Sequence, residues 1–223
     1  MASRNAVAAK QDEAGSLRRE RMRAILVEAS LKLFAKQGVD ATTIDEIVNV
    51  AGVAKGTFYN YFTDRSEIAR AVGAAIRHDL DAAVTRLNEG IGDPAERIAR
   101  GVRLFMANVV SNPDKAAMLS RLYDGGLAVG SAGNLPLLDD IRAGIAQGRI
   151  HVPDEQVALH FIVGLATAAM RHLLDTGAGT EILRGEGYAH DIAQMLLRGL
   201  GVAETDVQDI LSRPFDATGF SFL

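Results

Sequence analysis

The chain has 223 residues, 48% of them hydrophobic, with 24 basic and 28 acidic side chains and no cysteine. That length suits one or two compact domains with a sizeable core, and the missing cysteine excludes a disulfide framework, a thiol nucleophile and any thiolate metal site. The net charge of -4 is unevenly placed, with 11 basic and 9 acidic side chains in residues 1–72 against 13 and 19 in the remainder, so a localised nucleic-acid footprint on the front of an acidic body is permitted.

Residues 1–17 are mostly small and polar and are expected to form a flexible extension. Arg4, Lys10, Asp12, Glu13, Arg18 and Arg19 interrupt any apolar segment, so no secretory signal is expected and the protein is read as soluble and cytoplasmic. The run Arg18-Arg19-Glu20-Arg21-Met22-Arg23 has a local charge of +3; it is either a solvated helix face or a contact to a nucleic-acid backbone or minor groove. Met22, Ile25, Leu26, Ala29 and Leu33 then recur on one helix face, and Gly38 after Lys36 supplies a stop. Thr43-Ile44-Asp45-Glu46 is a capping-box pattern that opens a short helix to about Ala51, Gly52 provides the turn, and a second short helix runs to Phe62. Thr63 or Asp64 is placed to cap the long segment that follows.

All five prolines, at 94, 113, 136, 153 and 214, lie after residue 93. Pro94, Pro113 and Pro153 suit the first turn of a helix, and helices are predicted over about 94–111, 114–123, 135–147, 154–175 and 188–200. Gly125–Gly133 reads as a loop. The acidic segment Glu204–Asp209 suggests a further short helix, and the apolar Phe215, Phe220, Phe222 and Leu223 suggest a docked terminus. Strand-like alternation and internal repeats are lacking, so the fold class is all-α. From Val157 to Met170 no residue carries a formal charge if His160 is neutral; 14 residues are too few to span a bilayer, so this reads as a buried helix and no membrane partner is expected.

Residues 42–62, TTIDEIVNVAGVAKGTFYNYF, have the layout of a helix-turn-helix. Phe58, Tyr59, Tyr61 and Phe62 are four of the chain's twelve Phe and Tyr residues. At 100° per residue Phe58 and Phe62 share a face and anchor the helix to its core. Gly56 and Asn60 fall opposite, flanked by Thr57 and Tyr61 on one side and by Lys55 and Tyr59 on the other. Such a face, small in the middle and fringed by hydroxyls and a cation, suits the major groove; composition alone leaves open an amphipathic core helix whose tyrosines cover apolar surface.

Residues 20–70 resemble the DNA-binding domain of the tetracycline-repressor (TetR) family. The resemblance is carried by Phe34 and Gly38 at the end of the first helix, Thr43, Ile47, Ala51-Gly52-Val53, Gly56-Thr57, Tyr59, Tyr61-Phe62, and Arg65 before Glu67 and Ile68. Ala54 stands where the family commonly has Ser or Thr, so the second short helix is expected to lack a side-chain N-cap; Val48 replaces a usual small alanine. The resemblance implies an N-terminal helix-turn-helix domain at 18–65 and a helical ligand-binding and dimerisation domain at 66–223. It implies base-proximal roles for Lys55, Gly56, Thr57 and Asn60, and phosphate contacts from Tyr59, Tyr61, Thr43 and Arg65. The expected function is that of a ligand-responsive repressor, binding a palindromic operator in double-stranded DNA as a homodimer and released by a small-molecule effector.

For the homodimer, helix 154–175 and the amphipathic helix after it are expected to pair with the partner's equivalents through Phe161, Gly164, Leu165, Ala168, Ile192, Met195 and Leu196. Phe105, Met106, Met118, Leu122, Tyr123, His160 and Arg171 are candidates to line an effector cavity; the competing reading for each is plain core, interface or helix-end solvation. An enzyme is not expected, because HExxH, P-loop and GxSxG patterns are absent and five scattered histidines build neither a metal cluster nor a nucleophile–base pair. No cofactor is implied.

Overall fold

The computed structural model describes residues 2–124, 135–176 and 182–220. Among these residues lie ten helices and no strand: α1 (Ala2–Gln37), α2 (Ile44–Ala51), α3 (Lys55–Tyr59), α4 (Arg65–Leu87), α5 (Pro94–Ser111), α6 (Pro113–Asp124), α7 (Leu135–Ala146), α8 (Glu155–Asp175), α9 (Ile182–Gly199) and α10 (Glu204–Ser212). The chain divides into two compact units, Met1–Ala75 and Ile76–Leu223, so the division falls inside α4; the boundary expected from sequence lay at the start of that helix.

In the first unit α1 reaches back to Ala2, so the segment expected to be a flexible extension is helical. Alanine, lysine, glutamine and glutamate are strong helix formers, and no proline interrupts them. The buried line of α1 passes through Leu26, Ala29, Ser30 and Phe34, whereas Ile25, expected on the inner face, is 36% exposed. Ser30 is tolerated inside because its hydroxyl donates to the Leu26 carbonyl at 2.9 Å. Leu26, Phe34, Ile47, Phe58, Phe62, Ile68 and Val72 are all at most 1% exposed and form the core that holds the short helices in place.

In the second unit α5 is the central element, packed against α7, α8 and α9. Its start is built as the sequence predicts: the Asp93 carboxylate accepts from Ala95 N at 3.0 Å and Pro94 occupies the first turn. Pro113 opens α6 in the same way, but Pro153 stands one residue before the N-cap of α8, which is Asp154. Arg149 pairs with Asp93 at 2.6 Å and with Asp206 at 2.5 Å, tying the turn after α7 to the start of α5 and to α10. The chain beyond α10 docks on α5: Arg213 pairs with the buried Glu96, Arg103 sits 4.1 Å over the Phe215 ring, and Asn108 Nδ2 donates to the Phe220 carbonyl at 3.1 Å. The predicted loop Gly125–Gly133 and the terminal Phe222 and Leu223 lie outside the described residues.

α8 departs from its sequence reading. It has 21 residues, enough by length and composition alone to cross a bilayer, yet it is not buried all round. Ala158, Leu159, Ile162, Ala169, Met170 and Leu173 face the core of the unit, while Val157 is 57% and Phe161 38% exposed. The sequence is apolar on both faces, and only packing decides which one the chain itself covers.

Candidate functional site

The geometry of the reading head begins at the N-terminus of α2. Thr43 Oγ1 accepts from Glu46 N at 3.2 Å, and a Glu46 carboxylate oxygen accepts from Thr43 N and Thr43 Oγ1, both at 2.8 Å. This is the capping box predicted from sequence. The hydrogen bond from the Thr43 backbone, followed by those from Gln37 and the Thr43 side chain, holds the Glu46 carboxyl below its ordinary range. Both donors of Thr43 are thereby committed to Glu46. A phosphate contact from Thr43, the role that the resemblance implies, would exchange one of these hydrogen bonds.

α2 ends at Gly52, whose left-handed backbone (φ 67°) closes the helix with its N–H near the Val48 and Asn49 carbonyls. The chain then enters α3 through Ala54, which makes no side-chain cap, as the sequence predicts. α3 itself is five residues long and gives way to a turn at Asn60 and Tyr61, earlier than the predicted end at Phe62. The last turn tightens there: Asn60 N donates to Thr57 O at 3.2 Å and Tyr61 N to Phe58 O at 2.9 Å. Phe58 and Phe62 are buried, with ring centroids 5.8 Å apart, and Arg23 lies 5.2 Å over the Phe62 ring. Arg23 therefore belongs partly to packing, while Arg18, Arg19 and Arg21 of the same run are exposed.

With the phenyl rings inward, Lys55, Gly56, Tyr59 and Asn60 are exposed and Thr57 and Tyr61 half-buried. Nothing lies within 4 Å of where a Cβ on Gly56 would stand, so the outer face of α3 is open at that point. Both cations at the head are held by aspartates. Lys55 Nζ pairs with Asp45 across the turn at 2.8 Å. Arg65 Nη1 donates to the Asp40 carbonyl at 2.6 Å and the Thr42 carbonyl at 3.2 Å, with the Asp40 carboxylate 3.6 Å away. Arg65 thus ties the start of α4 to the loop before α2. Asp64 and Thr63 both serve the start of α4: Glu67 N donates to Asp64, and Thr63 N and Oγ1 donate to the Glu67 carboxylate. Asp40 and Asp45 are the residues that sequence reasoning missed, although Asp45 lies inside the capping motif.

In the second unit a cavity of about 130 Å³ opens between α4, α5, α7 and α8. Of the candidates named from sequence whose side chains are described, only Phe105 lines it. Met106 and Met118 are buried in the core but do not reach the cavity, and His160 and Arg171 stand on the exposed face of α8. The side chains of Leu122 and Tyr123 lie outside the described residues. The polar lining comes instead from Arg77, Asp81, Arg97, Asp140 and Thr167, on four separate helices. Among the described residues no cluster of three His, Asp or Glu is arranged to hold a metal ion.

The candidates for a partner surface divide in two. Phe161, Gly164, Ala168 and Met195 are exposed, Met195 by 60%, and Leu165 is half-buried. Ile192 and Leu196 turn inward and are 9% and 0% exposed, so they belong to the chain's own core. Phe161 lies over Gly199, where a Cβ would come within 2.5 Å of its ring, while Gly164 has nothing within 4 Å. Among the described residues the outward side of α8 and α9 thus carries an uncovered apolar patch, small in its middle, with His160 and Arg171 exposed on the same helix α8.

Comparison with known proteins matches both units. A profile of bacterial regulatory proteins of the tetR family covers residues 26–72, and one of the tetracyclin repressor-like C-terminal domain covers residues 93–213. The HTH-type transcriptional regulator HbdR of Aromatoleum sp. (strain CIB) is 28% identical over 166 residues, 69% of this chain and 71% of its own. SrpR of Pseudomonas putida, also an HTH-type transcriptional regulator, is 32% identical over 108 residues, 48% of each chain, so this chain spans about half of that relative. Among solved structures, RolR in complex with resorcinol has a TM-score of 0.67 at 25% identity, covering 90% of this chain and 98% of its own.

Proposed function

The chain belongs to the tetR family of bacterial regulatory proteins and is a DNA-binding transcription regulator; we propose that it acts as a homodimeric repressor, released from a palindromic operator by a small molecule. The observation that carries this reading is the outer face of α3. Its phenyl rings are spent on the core, and Lys55, Gly56, Tyr59 and Asn60 are left exposed around open space. Glycine in the middle lets backbone approach base edges, Asn60 is of the type that reads adenine, and Tyr59 and Tyr61 are of the type that bonds phosphate.

The uncovered apolar face of α8 and α9 supports the dimer, since single chains rarely leave such a surface to water. A two-fold axis sets two reading helices about 34–36 Å apart, one turn of DNA, and so calls for a palindromic site. The cavity supports the effector, as does the binding of resorcinol by RolR, its structural relative. Arg77, Leu80, Asp81 and Val84 of α4 line the cavity, and α4 begins at Arg65 beside the reading head. A ligand that prefers one setting of α4 shifts the population of DNA-competent molecules. As a DNA-binding repressor the protein would work in the cytoplasm.

The test is selection of genomic fragments by the purified protein at two salt concentrations. A palindromic motif whose recovery falls with salt is expected, because phosphate contacts release counterions. Asn60→Ala is expected to relax preference at one operator position by about 1–3 kcal/mol, while Tyr59→Phe with Tyr61→Phe weakens all sequences alike. Enrichment without two-fold symmetry overturns the dimeric reading, and salt-insensitive recovery overturns the reading of α3.

A further inference from the structure

We propose that the cavity of the second unit takes an uncharged single-ring compound bearing hydroxyl groups, an inference that rests on reading the protein as effector-responsive. Asp81 and Asp140 accept the hydrogen bonds of those hydroxyls.

Size comes first. An apolar cavity of about 150 Å³ holds one benzene, so a space of about 130 Å³ is matched by a single ring, its small substituents lying where the cavity opens. The walls agree with a ring. Leu80, Val84, Ile98, Val102, Phe105 and Ile162 are among the apolar residues that line the cavity, a lining that rewards a flat apolar body over a sugar.

The polar groups decide the rest. Arg97 has every guanidinium nitrogen engaged: Nε donates to Asp140 Oδ1 at 2.7 Å, Nη2 pairs with the same oxygen at 2.6 Å, and Nη1 donates to the Ile91 and Gly92 carbonyls at 3.0 and 3.2 Å. It is therefore poorly placed to receive a carboxylate or phosphate. Asp140 accepts on Oδ1 alone, so Oδ2 has no donor among the described residues. The Asp81 carboxylate also receives no hydrogen bond among them; only its backbone carbonyl is used, by Thr85. Burial raises the Asp81 carboxyl above its ordinary range, with Arg77 and then His78 opposing, as expected of a carboxylate short of donors. Asp81 and Asp140 thus offer acceptors and ask the ligand for donors. Among the described residues the lining's two arginines and two aspartates cancel formally, so a charged ligand finds no net countercharge there to offset its desolvation. Hydroxyls on a neutral ring meet each condition: they donate, they carry no charge, and they fit.

The experiment is calorimetric titration of the full chain with catechol, hydroquinone, phenol, anisole and benzoate. The two diols are expected to bind more tightly than phenol, and anisole and benzoate at least about tenfold more weakly than the diols, since a carboxylate left without its donor is costly. Asp81→Asn is expected to weaken the diols by about tenfold and leave anisole unchanged. Leu80→Trp, which fills the space, is expected to abolish all binding while the melting transition persists. The proposal is overturned if benzoate binds as tightly as the diols, if none of the rings binds, or if Leu80→Trp leaves diol affinity intact. Release of operator DNA is read in the same samples. Binding of the diols without release sinks the effector reading alone; release by an anion instead leaves that reading standing and sinks the ligand class.

Discussion

Lys55 and Asp45 form a pair at the outer face of α3, the surface proposed to meet DNA, 52% and 71% exposed at their side chains. An exposed pair of this kind contributes little to stability. If Lys55 serves the proposed DNA contact, it must leave Asp45 to reach a phosphate or a base. The hydrogen bond to Asp45, followed by the Coulombic attraction of the same carboxylate, raises the Lys55 ammonium above its ordinary range, and the aspartate itself repels DNA. Asp45→Asn is therefore expected to tighten binding to random-sequence DNA and to steepen the dependence of log affinity on log salt by about one. Fluorescence anisotropy across a salt series measures both, and an unchanged slope removes Asp45 from the interface. Gly56 separates stability from binding. Alanine there meets no atom within 4 Å and is expected to stabilise the free protein by about 0.5–1 kcal/mol through helix propensity, while weakening operator binding. The inward turn of Phe58 and Phe62 was legible in the sequence because a four-residue step returns to the same helix face; the pairing of Lys55 with Asp45, ten residues apart, was not, because it depends on how the Gly52 turn folds one helix against the next.

At the scale of the element, helix ends were the most legible features, since a cap is a hydrogen bond between residues two or three apart. The Thr43–Glu46 box is the strongest case. Thr43→Ala is expected to cost about 1 kcal/mol, read as a lower denaturant midpoint at unchanged slope, with operator affinity falling only as far as α2 loosens. The sequence also announced α10, whose first residue is clamped to the end of α9 by Arg198 at 2.6–2.8 Å. That bond, followed by one from Gln208, lowers the Glu204 carboxyl to about 2, against about 4.3 in an unfolded chain. A depressed carboxyl stabilises the fold above its unfolded pKa and loses that contribution as the pH falls toward the folded value. The denaturation midpoint is expected to decline between about pH 4 and pH 2, and Glu204→Gln is expected to flatten that part of the profile. Helix rotation was harder to read. In α1 the small Ser30 replaces Ile25 on the inner face, a choice made by what packs opposite and not by hydropathy.

At the scale of the whole molecule the second unit exposes Val157, Phe161 and Met195 together with Gly164 and Ala168 on α8 and α9. Placing a charge there tests the dimer directly. Met195→Glu is expected to lower the mass seen by light scattering from that of two chains to that of one, with the helical signal retained, and to weaken operator binding sharply. Full affinity from a monomer would detach the surface from DNA recognition. Isolated mutations of Ile192 or Leu196 do not serve this purpose, because both side chains are buried in the chain's own core.

By itself the sequence determined the class of the fold, the helix-turn-helix and its capped ends, and the family that the profiles then matched. All of these are written in residues within a few positions of one another, where helical geometry links spacing to shape. The cavity lining, where Arg97 meets Asp140 from 43 positions away, and the face of α8 left open among the described residues came from packing alone. A buried pair between distant helices and the rotation of a helix that is apolar on every side depend on where neighbouring backbones come to rest, and no local pattern in the chain records that.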